Sequence, residues 1–155
     1  MFGALHDQIS YTVSPEYFTH FKFHQFAMLQ SEVPERVRVA AVGFLASWWM
    51  GLPLGLLAGL GGFIHSSDVH MRRALWWSLP LIVVFTLGVA LTGLVYGYVQ
   101  TERIDVADYP GWFPNGVGLR GYLCAGYMHN AAYLGGLGAT LAAWIFHVIV
   151  WHRTR

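Results

Sequence analysis

Three runs of the chain, residues 39–64, 74–99 and 121–152, contain no Lys, Arg, Asp or Glu. Each is longer than the ~20 residues an α-helix needs to cross the hydrocarbon core of a bilayer. Within that core the backbone must satisfy its own hydrogen bonds, which leaves only helices and closed barrels as spanning forms. Runs of this length and character are helical. The sequence therefore predicts an all-α integral membrane protein. It has three transmembrane helices, at about 39–64, 74–99 and 122–151, plus a short N-terminal interfacial or docking helix.

Composition agrees. Only 11% of residues are charged, and mean hydropathy is +0.46, whereas soluble domains carry about 25% charged residues. A chain of 155 residues allows one domain. It divides into an N-terminal arm and interfacial helix (1–33) and a three-helix bundle (34–155). The expected partner is the lipid bilayer, with a cytoplasmic (inner) membrane as the expected location. A net charge of +1 gives no footprint for nucleic acid. The single cysteine, Cys124, has no internal disulfide partner and is expected to pack as a small hydrophobe.

Residues 1–10, MFGALHDQIS, lack the basic and apolar regions of a cleavable signal peptide, so the first span is expected to act as its own insertion signal. Residues 1–13 are polar and mixed and read as an ordered arm or loop. Ser14-Pro15-Glu16 then combines an N-cap, a first-turn proline and a first-turn acid, which predicts a helix from Pro15 to about Gln30. It is too short and polar to span. Its aromatics, Phe18, Phe21, Phe23 and Phe26, point in several directions, as they would on a helix packed between protein and lipid. In the first span, Gly51, Gly55 and Gly59 recur every four residues, a track that lets another backbone approach closely. The track suits packing within the chain or a contact in a homo-oligomer or larger membrane complex.

Three spans put the N-terminus and the 100–120 loop on one side, and the 65–73 turn and C-terminus on the other. The loop holds Glu102, Arg103, Asp105 and Asp108, then the turn-rich Tyr109-Pro110-Gly111-Trp112-Phe113-Pro114-Asn115-Gly116. Arg72, Arg73, Arg153 and Arg155 lie close to helix ends on the second side. Their density favours that side as cytoplasmic, only slightly over the Lys and Arg spread across the first.

Ionisable residues inside a span are costly and mark functional sites. The third run holds His129 and Asn130, about 100° apart on a helix. Residues eighteen apart share a face, and His129 and His147 have that spacing. Tyr122, Tyr133 and Thr140 fall within about 40° of the same line. On the second span Ser78, Thr92, Tyr96 and Gln100 make a similar seam. Hydroxyls of this kind also serve as ordinary interhelical packing contacts.

Glu16, His20 and His24 follow at i, i+4 and i+8 on the N-terminal helix, drifting by only about 40° per step. Histidines at i and i+4 can reach one metal ion. Docked over the third span, this helix would bring His20 and His24 toward His129, with Glu16, Glu102, Asp105 or Asp108 completing the shell. That set suits zinc, iron or copper. A second group, His65, Asp68, His70, His147 and His152, lies at the opposite end as an ion entry or exit site or as solvated interfacial histidines. Haem is less favoured. The first two spans contain no interior histidine, and His129 and His147 stand about 27 Å apart along one helix.

No Gly-x-Ser-x-Gly elbow or phosphate-binding loop is present, and catalysis is left open. Three functions fit. The first is binding or translocating a metal ion or proton at a His/Glu-lined site near the membrane interface. The second is a metal- or haem-dependent membrane oxidoreductase or its redox subunit. The third is a non-catalytic accessory subunit of a larger membrane complex.

Overall fold

The computed structural model describes residues 1–29, 32–105 and 113–155. Among these every regular element is a helix, and three are long and apolar enough to cross a membrane. The elements are α1 (Phe2–Val13), α2 (Pro15–Tyr17), a π-helical turn (Phe18–Lys22), α3 (Phe23–Gln25), α4 (Glu35–Leu60), a 3-10 turn (Gly61–Ile64), α5 (Asp68–Gln100) and α6 (Leu119–Arg153). The three charge-free runs lie in α4 with its 3-10 turn, in α5 and in α6. The turn sequence 109–112, Gln30 and Asp108 lie outside the described residues.

Residues 1–13 are not the expected arm or loop. They form α1, whose buried residues are Gly3, His6, Asp7 and Ser10. That is spacing i, i+3, i+4, i+7, one face of a helix, but the face is polar. Leu5 points outward and is exposed. Such an inverted helix suits a chain whose surroundings are apolar and whose interior holds the ionisable groups.

The helix from Pro15 starts as expected. Ser14 caps it by accepting from the Tyr17 N–H at 3.2 Å. It ends earlier than expected, at Gln25, and is interrupted by the π turn. There the Phe23 N–H bonds to the Phe18 carbonyl, five residues back. In an α-helix those side chains would diverge by about 140°. The wider turn stacks Phe18 and Phe23 on one buried face, leaving Phe21 outside.

A Schellman-type stop follows. The Met28 N–H bonds to the Phe23 carbonyl at 2.8 Å and the Ala27 N–H to the His24 carbonyl at 3.2 Å. Ala27 sits at φ 53°, in the left-handed region. An L side chain there costs ~1–2 kcal/mol, so Ala27→Gly is expected to stabilise the protein by about 1 kcal/mol, measured by denaturant unfolding in detergent. Arg38 secures this stop. Its guanidinium donates to the Met28 carbonyl at 2.8 Å and lies 4.5 Å over the Phe23 ring.

The described chain forms two compact units, residues 1–48 with 90–131, and residues 49–89 with 132–155. The core of the first consists of Tyr17, Phe18, Phe23, Val39, Val42 and Ala125. Here α1 runs antiparallel to the start of α4. Gly3 lies against Gly43 and Ser47, while Arg36 donates to the Gln8 carbonyl and Thr12 Oγ1, both at 3.1 Å. The far end of α1 rests on α6, where a Cβ at Gly121 would lie 3.0 Å from the Val13 carbonyl. In the second unit small residues let the helices approach. Ala58, Ala74, Ala139 and Ala143 are buried, and a Cβ at Gly135 would meet Val89 and Thr86 at 3.0–3.2 Å. By contrast, a Cβ at Gly51, Gly55 or Gly59 would meet nothing within 4 Å, and Gly55 and Gly59 line an open groove beside Leu75, Trp76 and Ser78 of α5.

Candidate metal centre

The inward face of α1 meets α6 at His129. The His6 Nδ1 and Asp7 Oδ1 atoms are 2.8 Å apart, and the His129 Nε2 lies 3.9 Å from the same carboxylate oxygen. Ser10 Oγ stands 3.3 Å from His129 Nε2. The two imidazoles meet edge to face, with centroids 4.6 Å apart. All four residues are buried. The His6 Nε2 and Asp7 Oδ2 atoms have no hydrogen-bond partner among the described residues, which is unusual for buried polar groups.

Helix α1 supplies two of these groups through adjacent positions, and α6 supplies the third. Tyr17 stacks on the His129 ring at 5.0 Å and 20°, with Phe18 at 6.3 Å. Measured along the helices, Gly43 lies about 12 Å from Glu35 and His129 about 15 Å from Leu119. The centre therefore lies within the first third of each of these two spans.

One donor atom from each of His6, Asp7 and His129 lies within 4.8 Å of the others, so the three can hold a metal ion. Bonds of about 2.0–2.2 Å place neighbouring ligands about 3–3.5 Å apart, so around an ion His129 would move slightly toward Asp7, at 3.9 Å, and the 2.8 Å His6–Asp7 contact would open slightly. Two imidazoles and one carboxylate suit zinc, iron or copper alike.

Lys22 is also buried. Burial pushes its ammonium below its ordinary value of 10.5, partly offset by the charge of Asp7. An unfolded chain thus holds this proton at pH values where the folded chain has shed it, and stability rises with pH toward 10.5. Melting temperature measured through the alkaline range is expected to rise in the native protein relative to Lys22→Met, which lacks this proton. On the outer surface, a hydrogen bond to Glu35 raises the Tyr11 hydroxyl above its usual range.

The partners of His129 are His6 and Asp7, not the expected His20 and His24. Glu16 accepts from Ser14 Oγ at 3.2 Å, His20 is exposed and pairs with Thr19 at 3.1 Å, and His24 is exposed. The inward face of their helix is taken by Tyr17, Phe18, Lys22 and Phe23, which puts the Glu16/His20/His24 row outside. Glu102 and Asp105 are exposed, and Asp108 lies outside the described residues.

In the seam on α6, Thr140 and His147 are buried and Tyr122 is half-buried, while Tyr133 is exposed near Trp49. Thr140 donates to the Gly136 carbonyl at 3.1 Å. On α5, Ser78 is buried and donates to the Leu75 carbonyl, whereas Tyr96 and Gln100 are exposed. Of the second histidine group, His65 meets His147, and Asp68, His70 and His152 are exposed. Burial, then the charge of His70, lowers the His65 imidazole from its usual range.

Sequence reasoning missed His6 and Asp7. The signal was Gly3, His6, Asp7 and Ser10 at helical spacing, with their polarity turned inward. No protein-family model, no curated protein and no solved structure matches the chain.

Proposed function

We propose that the protein is a membrane-embedded metalloprotein that binds one divalent transition-metal ion through His6, Asp7 and His129. The observation that carries this reading is the convergence of two imidazoles and a carboxylate in a buried cluster with two orphaned polar atoms. Ionisable groups so placed are costly unless they pair or coordinate a metal. Burial of all three ligands favours a held ion over a passing one.

The test is elemental analysis of the purified full-length protein after dialysis against a weak chelator. One equivalent of divalent metal is expected in the native protein and none in His129→Ala or His6→Ala. Metal content unchanged in both variants would sink the proposal. Proteoliposomes are expected to show no metal flux. Exchange of Lys22 for Met is expected to tighten divalent-ion binding several-fold, because it removes a competing positive charge near Asp7.

A redox role is favoured by one specific observation: Tyr17 stacks on the ligand His129 and meets Tyr122 at 5.1 Å. A paramagnetic resonance signal from the as-purified ion that changes in Tyr17→Phe would support it. The open Gly51, Gly55 and Gly59 track is proposed as a self-association face. Gly55→Leu is then expected to shift a cross-linked oligomer to monomer.

A further inference from the structure

The second unit contains its own pair of imidazoles. The His65 Nε2 lies 3.1 Å from the His147 Nδ1, with ring centroids 5.4 Å apart and planes at 58°. His147 is fully buried on α6. Its seat depends on Gly61, where a Cβ would stand 2.9 Å from the His147 Cδ2 and 3.3 Å from its Cγ. His65 follows the 3-10 turn in an extended conformation and is only half-buried. One ring is thus held in a helix, while the other sits on a half-buried turn.

The donor set is unusual for what it lacks. Among the described residues no third His, Cys, Asp or Glu joins the pair to make a ligand group. Asp68 is exposed. A divalent ion here would bring two charges into a buried site with no anion to offset either. A monovalent ion brings one. Soft monovalent ions with a filled d shell, copper(I) and silver(I), also accept two-coordination, which zinc and iron(II) do not favour.

Geometry agrees. With metal–imidazole bonds of about 2 Å, the 3.1 Å spacing corresponds to an angle of about 100° at the ion. Opening toward a linear arrangement asks His65 to retreat by under about 1 Å. We propose that His65 and His147 form a two-coordinate site for a soft monovalent cation, copper(I) or its probe silver(I), separate from the His6/Asp7/His129 centre.

The experiment is silver(I) titration of the purified full-length protein against a competing chelator, for the native chain, His65→Asn, His147→Asn and His129→Asn. One equivalent of silver is expected to disappear in His65→Asn and His147→Asn and to remain in His129→Asn. Copper(I) loaded anaerobically is expected to show two nitrogen neighbours and no sulfur by X-ray absorption. Gly61→Ala is expected to lose the same equivalent, because its methyl group displaces the His147 ring. His65 lies on a turn, so His65→Asn decides the matter even where His147→Asn does not fold. Unchanged silver stoichiometry in His65→Asn would overturn the proposal, leaving a pair that only shares a proton. So would a sulfur-containing shell, or zinc(II) binding at the pair as tightly as silver(I). The silver(I) and copper(I) readouts are independent of divalent metal at the first centre, and zinc(II) is titrated in His129→Asn so that only the pair is read.

Discussion

Gly43→Ala is expected to empty the His6/Asp7/His129 centre as completely as removal of a ligand. Gly43 touches none of the three, but its position is where α1 crosses α4. A Cβ there would collide with the Gly3 carbonyl group, with its carbon at 2.6 Å, and with the Ala4 nitrogen at 2.9 Å. These are backbone atoms, so no side chain can swing aside. The whole of α1 must move, and His6 and Asp7 move with it. Overpacking of this kind costs ~1–3 kcal/mol, and ligands must be held within a few tenths of an ångström to keep a metal. The measurement is metal content beside helicity by circular dichroism. Metal is expected to fall to near zero, while helix content declines by no more than the share of α1. Gly3→Ala approaches the same contact from the other side and is expected to behave alike. Full metal retention in both variants would show that the crossing does not position the centre.

The second large effect is expected from Asp7→Asn. Among the described residues the carboxylate is the only anion in the cluster, and one of its oxygens is buried without a partner. Losing even an outer-sphere partner of a metal ligand typically costs 10–100-fold in affinity, so loss of this anion is expected to weaken divalent-ion binding by at least about 100-fold. A competing account makes Asp7 the counter-charge of Lys22 and nothing more. On that account Asp7→Asn leaves a buried ammonium uncompensated and destabilises the fold by ~3–5 kcal/mol. The double variant Asp7→Asn/Lys22→Met separates the two. A metal centre predicts that stability returns and metal binding does not. Recovery of metal binding in the double variant would remove Asp7 from the ligand set.

The spans were legible because lipid leaves so little choice: a charge-free run longer than a bilayer core is thick has few other forms. His129 was legible for the same reason, as an imidazole in an apolar segment. Its partners were not. The reading of His20 and His24 rested on i, i+4 spacing, which says that two side chains share a face but not which way the face points. The π turn at Phe18–Lys22 gave the inward face to Phe18 and Phe23, five residues apart, and no regular helical period anticipates that alignment. Helix α1 lacks the inward apolar stripe that marks most helices in a sequence. Its stripe, Gly3, His6, Asp7 and Ser10, is polar and faces inward, the reverse of the pattern that marks a helix on a soluble core. The Gly51/Gly55/Gly59 spacing suggested close approach by a second backbone, but a Cβ at any of the three would meet nothing within 4 Å in the described chain.

The polar face of α1 also carries a consequence for the order of events during synthesis. Residues of α1 leave the ribosome long before His129 does, so until α6 is made Asp7 has His6 beside it and Ser10 has the Asp7 carbonyl, both within α1, but neither has His129. A helix that displays a carboxylate and an imidazole on one side cannot settle among lipid tails alone. Its inward face is therefore expected to be covered fully only once α6 is present. On the proposed reading, a chain arrested before α6 carries two of the three ligands and lacks the third.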